Sequence, residues 1–213
     1  MQLNKEAHMD EISLQDCKVA IFDLGNVVLN WHVPSVLESL PFERDIQQQL
    51  DQQLFSHDDW LAMDHGLLSE SEVISNIKRR SSLSDEQINQ AILAAKRSLL
   101  EIERTVTLMQ KLVDQSIPLY CLSNMSVETY QHVKDYKFFE LFEGIVISGI
   151  EKCMKPDDSI YQCIIQRYQL IPTQCLFIDD RLENVQAARK NDLQAWHFLG
   201  LDDCYQGIEQ ALL

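Results

Sequence analysis

The chain has 213 residues, 33 acidic and 18 basic, and a formal net charge of −15. That acid excess excludes free nucleic acid and an anionic membrane surface as partners, because both select basic patches. A hydrophobic fraction of 46% is enough to build a core and excludes a disordered polymer.

Met1 to Asp16 mixes Lys5, Glu6, His8, Asp10 and Glu11 with no apolar run, so it does not read as a signal peptide. Val19 to Phe22 is apolar on both faces and too short for a helix, which predicts a buried strand. From Trp31 to Ser98 only helical patterns follow. Ser69-Glu70-Ser71-Glu72 has capping-box spacing, and Ser84 to Leu100 carries Ile88, Ile92, Leu93 and Leu99 on one stripe. The Gln-rich run Gln47 to Gln53 reads as a solvated helix face. One crossover needs only about a dozen residues, so this long block is expected to be an inserted all-helical cap.

Beyond it, apolar runs alternate with helical stretches. Strands are expected at Pro118 to Leu122, Gly144 to Ile147, Cys175 to Ile178 and Ala195 to Leu199. Helices are expected at Glu103 to Gln115, Val127 to Lys134, Ser159 to Tyr168 and Glu183 to Lys190. Strands without a polar face, alternating with helices, predict a doubly wound parallel α/β sheet of Rossmann-like type. The expected division is a core from residues 1–30 and 99–213, with the cap at 31–98. No run reaches the roughly 18 apolar residues of a bilayer span. Six cysteines lack CxxC or zinc spacing, and Cys121 and Cys175 sit in apolar runs, as buried thiols of a reducing cytoplasm would.

Open α/β sheets bind ligands beyond the carboxyl ends of their strands. The first expected strand leads into Asp23-Leu24-Gly25-Asn26 and the second into Ser123-Asn124. The third is followed by Lys152-Cys153-Met154-Lys155-Pro156-Asp157, and the fourth by Asp179-Asp180. Taken singly, an Asp after a strand commonly caps the next helix, and Ser-Asn is common turn chemistry. Adjacent carboxylates, however, repel unless a cation offsets them. On one rim these groups supply a carboxylate nucleophile, hydroxyl and amide donors, an ammonium and an acidic pair. That combination suits a phosphoryl group beside Mg²⁺.

Ile21-Phe22-Asp23-Leu24-Gly25-Asn26-Val27-Val28, Leu122-Ser123-Asn124, Lys155-Pro156-Asp157 and Phe177-Ile178-Asp179-Asp180 resemble the four ordered motifs of the haloacid dehalogenase-like hydrolases. The resemblance runs from about Lys18 to Leu199. It is nearest to the branch with sugar-phosphate phosphatases and the phosphatase domain of soluble epoxide hydrolase, and Asp180-Arg181-Leu182-Glu183-Asn184-Val185 continues that pattern. It implies that Asp23 forms an aspartyl-phosphate. Asp23, the Gly25 carbonyl and Asp180 would hold Mg²⁺, with Asp179 beside them. Ser123 and the Asn124 region would bind phosphoryl oxygens, and Lys155 would balance their charge. The implied substrate is a small phosphorylated metabolite, such as a hexose phosphate.

Two positions depart from the family pattern. Gly25 stands where most of these phosphatases carry a second Asp as general acid and base, help commonly worth about 10²–10⁴-fold in rate. Lys152 stands where a glycine is usual. A metal-independent haloacid dehalogenase is compatible with Gly25 but offers no use for adjacent carboxylates and would need an Arg near the nucleophile. A binding protein that lost activity would have no need of Asp23, Ser123, Lys155 and Asp180 together. Candidate pocket residues in the insert are Trp31, His32, His57, Trp60 and His65.

Overall fold

The computed structural model describes residues 17–213, and the reading of Met1 to Asp16 lies outside them. Five short strands form one all-parallel sheet: β1 (Val19–Phe22), β2 (Leu119–Ser123), β3 (Phe142–Ile147), β4 (Cys175–Asp179) and β5 (Gln194–His197). Their order is β3-β2-β1-β4-β5. The chain winds outward from β1 to β3, then returns to the other side of β1 for β4. The order therefore reverses beside β1, the place where such sheets open a crevice.

The alternation of strand side chains divides the interior into two layers. Ala20 and Phe22 of β1, Leu119 and Cys121 of β2, and Leu176 and Ile178 of β4 face one apolar cluster. Ile21, Tyr120, Leu122, Cys175 and Phe177 face the other.

The helices in chain order are α1 (Val33–Glu38), α2 (Arg44–Leu50), α3 (Asp58–Asp64), α4 (Glu70–Arg80), α5 (Asp85–Ser98), α6 (Glu103–Asp114), α7 (Val127–Val133), α8 (Ser148–Glu151), α9 (Asp158–Arg167), α10 (Leu182–Lys190) and α11 (Asp202–Leu212). Helices α6, α7 and α11 cover the first layer, through Leu108, Met109, Val133, Tyr205 and Ile208. Helices α9 and α10 cover the second, through Ile160, Ile164, Val185 and Ala188.

Helices α1 to α5 enclose a third apolar cluster of their own, with Leu50, Leu54, Val73, Ile77 and Ile88 fully buried. Both α4 and α5 begin with complete capping boxes, Ser69 with Glu72 and Ser84 with Gln87. The two linkers into this block pair with each other. Asn30 N–H donates to the Leu100 carbonyl at 2.8 Å, and Ile102 N–H to the Val28 carbonyl at 2.8 Å.

Several expectations are refined. The second and fourth strands run one residue further than expected, so Ser123 and Asp179 close strands instead of starting loops. Helices α8 and α11 were not foreseen; α11 buries Cys204, Tyr205, Ile208 and Leu212 on one face. The Gln-rich run is not a uniform solvated face. Helix α2 stops at Leu50, a π-helical turn spans Asp51–Phe55, and the Gln47 amide donates to the carbonyls of Leu40 and Phe42. Cys121, Cys153, Cys163, Cys175 and Cys204 are free thiols, with Cys121 and Cys175 buried as expected. Among the described residues no helix is long and apolar enough to cross a membrane.

Candidate active site

The backbone of β1 continues into the rim, where Asp23 N–H donates to the Ile178 carbonyl at 2.9 Å. The Leu24 carbonyl then accepts from Val28 and Leu29 N–H at 2.9 and 2.8 Å, which turns the chain sharply. Asn26 adopts φ 53° in that turn, a left-handed conformation that Asn tolerates better than most residues. The turn leaves Asp23 beside the ends of β2 and β4.

Lys155 joins two of the predicted carboxylates. Its Nζ lies 2.8 Å from Asp23 Oδ1 and 2.7 Å from Asp179 Oδ2, and the lysine is only 2% exposed. Burial works against the ammonium form, but Asp179 and Asp23 together overcome it and raise the lysine pKa. Lys155 is therefore a fixed positive charge. The Asn124 amide holds its backbone by donating to the Lys155 carbonyl at 2.8 Å and accepting its N–H at 2.8 Å. The Asn124 side chain is thus committed to the Lys155 backbone. Ser123 lies just before it, 1% exposed at the end of β2.

The acidic pair divides its work. Asp179 is fully buried and accepts from the Arg181 N–H at 2.8 Å and from the Asn184 amide at 3.0 and 3.1 Å, besides Lys155. Both of its oxygens are thus engaged by protein donors. Asp180 is half-buried and spends Oδ2 on the Asn26 amide at 3.0 Å. Burial raises its pKa, with Asp179 adding to the effect. Burial also raises Asp23 to about 7; Lys155 opposes the rise, while Asp179 and Asp180 add to it.

The donor chemistry of this cluster fits a small divalent cation. Asp23, Asp179 and Asp180 each bring a carboxylate oxygen to within 4.8 Å of the others. Three carboxylates face one ammonium, so the cluster keeps net negative charge when ionised. An all-oxygen, partly desolvated site of this kind suits Mg²⁺. Gly25 sits on the same turn, and a Cβ added there would meet nothing within 4 Å.

The helical insert reaches this rim at the end of α3. The Asp64 carboxylate accepts from the Ser126 N–H and the Trp60 indole, yet burial outweighs both and lifts its pKa to about 7. The Ser148 hydroxyl donates to the Asp64 carbonyl at 2.5 Å, and His65 Nε2 lies 3.1 Å from the Lys152 carbonyl. Gly66, at φ +76°, rests against Gly149, where an added Cβ would lie 2.2 Å from the Gly149 oxygen. Of the candidate pocket residues, Trp31 and Trp60 stack with centroids 5.6 Å apart. The histidines are used elsewhere: His32 caps α1, His57 caps α3, and His65 meets the core loop.

Sequence reasoning missed Asn26 as the Asp180 partner, Asn184 as the Asp179 partner, and Asp64 as the tie to Ser126. Asn184 carried a faint signal, since it follows Asp179 at a spacing that a helix folds back on the strand end. Asp64 carried none, because Ser126 lies far away along the chain.

Comparison with known proteins agrees with this geometry. The haloacid dehalogenase-like hydrolase family model matches residues 17–192. A sesquiterpene phosphatase of Aspergillus oryzae is 22% identical over 181 residues, covering 84% of this chain and 89% of the relative. A drimenol cyclase of Aspergillus calidoustus is 27% identical over 190 residues; the match covers 87% of this chain but 35% of the cyclase. Among solved structures, an HAD family enzyme of Bacteroides thetaiotaomicron in complex with magnesium and inorganic phosphate superposes with TM-score 0.70 at 23% identity, covering 87% of this chain and 96% of that one. An L-2-haloacid dehalogenase of Xanthobacter autotrophicus superposes with TM-score 0.63 at 16% identity, covering 91% and 82%. The four motifs, the parallel sheet that gathers them and the family match over most of the chain lead to one assignment: this protein belongs to the haloacid dehalogenase-like hydrolases.

Proposed function

We propose that the protein is a Mg²⁺-dependent phosphatase that hydrolyses the phosphate monoester of a small metabolite through an aspartyl-phosphate on Asp23. The observation that carries this reading is the cluster of Asp23, Asp179 and half-buried Asp180, the first two paired with buried Lys155. A site for displacement at carbon gains nothing from three neighbouring carboxylates and loses from their repulsion. The relative named as a sesquiterpene phosphatase supports phosphate ester hydrolysis and brings isoprenoid phosphates into the substrate range.

In this mechanism an Asp23 carboxylate oxygen attacks phosphorus, and the ester oxygen leaves with the bonding pair. Water then attacks phosphorus, releasing inorganic phosphate and restoring Asp23. Asp23, Asp180 and the Gly25 carbonyl would hold the cation, while Asp179, with its oxygens engaged, orients Lys155. When bound, Mg²⁺ supplies positive charge for the developing phosphoryl negative charge. Ser123 donates to a phosphoryl oxygen, and Lys155 neutralises both the nucleophile and the transferred group. Gly25 brings no proton, so the leaving alcohol takes its proton from water.

We also assign residues 31–98 to a cap over a core that includes residues 17–30 and 99–213. The separate apolar cluster of α1 to α5 and the paired linkers support that division. The free thiols of Cys121, Cys153, Cys163, Cys175 and Cys204 support a reducing cytoplasm as its location.

The test is hydrolysis of p-nitrophenyl phosphate with magnesium. Activity that stops with EDTA is expected. Chloride release from 2-chloropropionate without metal would favour a dehalogenase, and neither reaction would leave a non-catalytic binding protein.

A further inference from the structure

Between α3, α5 and the core lies an apolar seam that the phosphoryl chemistry does not use. Trp31, Trp60, Met63, Ile92, Ala95 and Leu99 line it. Trp31 and Trp60 are stacked, and Phe55 packs against both at 6.4 and 5.1 Å between centroids. Both Trp31 and Trp60 are only partly buried, although large aromatic side chains gain most from full burial.

The charged side chains beside the seam are already paired, and two of its polar side chains have partners. The Trp60 indole N–H goes to Asp64. Lys96 and Glu70 pair with each other at 2.5 Å, and the Thr129 hydroxyl accepts from Ser126 at 2.9 Å. A ligand entering here therefore meets aromatic and aliphatic faces, with the nearby charges already matched. A polyol would leave its hydroxyls without partners, whereas a hydrocarbon chain loses nothing.

The seam also adjoins the catalytic rim. Trp31 N–H donates to Asn26 Oδ1 at 3.1 Å, and the same Asn26 amide binds Asp180. On the other side, Thr129 lies in the first turn of α7, whose capping Ser126 follows Ser123 and Asn124. A phosphate held by Ser123 and Lys155 would thus direct its ester group toward the tryptophans.

We propose that this seam is the leaving-group subsite, and that the substrate is a phosphate monoester of an apolar chain alcohol of isoprenoid type and not a sugar phosphate. This rests on the phosphatase reading of the same site. In the closed arrangement the cavity measures about 10 Å³. The chain therefore enters as the cap swings about the paired linkers at 28–30 and 100–102, and the tryptophans close on it.

The test uses n-alkyl monophosphates from ethyl to decyl, below their micelle concentrations, with glucose 6-phosphate and farnesyl monophosphate. Chain length scarcely alters the intrinsic reactivity of these alkyl esters, so a trend in kcat/KM reports binding. Expected is a rise of about twofold or more per methylene until the seam is full, with farnesyl monophosphate well above glucose 6-phosphate. A flat series, or preference for the sugar, overturns the proposal.

Ala95→Phe fills the seam and is expected to cut the decyl-to-ethyl ratio about tenfold or more. An unchanged ratio in that folded variant also overturns it. If the variant does not fold, the parent series decides alone.

Binding separates this proposal from the phosphatase reading. Decyl phosphate that alters tryptophan emission in Asp23→Asn, in a protein that hydrolyses no ester, would retain the apolar site and reject the phosphatase. Neither binding nor turnover would reject both.

Discussion

Asn124 grips Lys155 by the backbone, with donation and acceptance both at 2.8 Å, while the Lys155 side chain bridges Asp23 and Asp179. The amide at the end of β2 thus sets where the ammonium stands. Asn124→Ala leaves a backbone N–H and carbonyl of Lys155 to find new partners. A stability loss of about 1–3 kcal/mol is expected, with a fall in kcat larger than any change in KM. Urea titration and steady-state kinetics measure the two effects, and full activity in a destabilised variant would detach Lys155 placement from catalysis.

Asp23→Asn should abolish turnover without unfolding the chain. An amide is a poor nucleophile and a weaker ligand for a hard cation. Circular dichroism would confirm the fold. Product release at a rate near the parent's, at saturating magnesium, would move the nucleophile elsewhere.

Gly25→Asp has room, since nothing lies within 4 Å of the added Cβ and the backbone is not in the left-handed region. A carboxyl there restores a proton donor on the Asp23 turn. The expected result is a rate increase of about 10- to 100-fold on alkyl phosphates, whose leaving groups need a proton, and a smaller one on p-nitrophenyl phosphate. Equal or lower rates on both would mean that the site works around another donor.

Asp64 gives the metal-free protein a pH dependence of known sign. Burial lifts its pKa from 3.8 to about 7 in the folded state. The folded chain therefore holds this proton more tightly than the unfolded chain. The stabilisation is complete below the unfolded value and is lost as pH rises through about 7. Thermal melts from pH 5 to 8 should fall more steeply for the parent than for Asp64→Asn. Parallel curves would remove Asp64 as the source.

Lys152 ends α8 at φ 56°, a left-handed conformation that costs a side-chain-bearing residue about 1 kcal/mol and glycine nearly nothing. Lys152→Gly should therefore stabilise the fold by roughly 0.5–1 kcal/mol. A shift of the urea midpoint to higher concentration with unchanged slope would show it. A destabilised variant would mean that the lysine side chain contributes more than its backbone costs.

The left-handed angle at Lys152 also explains the glycine that the family resemblance leads one to expect there. Much else was legible for similar local reasons. The strand at Val19–Phe22 and the capping boxes at Ser69 and Ser84 depend on neighbours within a few residues, so pattern alone places them. Helix α11 escaped notice because its buried face, Cys204, Tyr205, Ile208 and Leu212, is legible only against the layer it covers.

Composition and order determined an acidic α/β chain with a helical block after the first strand, and placed Asp23, Ser123, Asp179 and Asp180 at strand ends and Lys155 in the segment after the third. Those features follow from periodicity and from the rule that parallel strands present their carboxyl ends on one rim. Only the tertiary structure decided how the polar groups share their bonds. Asn124 turns out to hold Lys155, Asn184 saturates Asp179, Asn26 takes Asp180, and Asp64 ties the insert to Ser126. All but the Asn184–Asp179 pair join segments distant in sequence, and a hydrogen bond's partner is set by distance and angle in space, which no local pattern encodes.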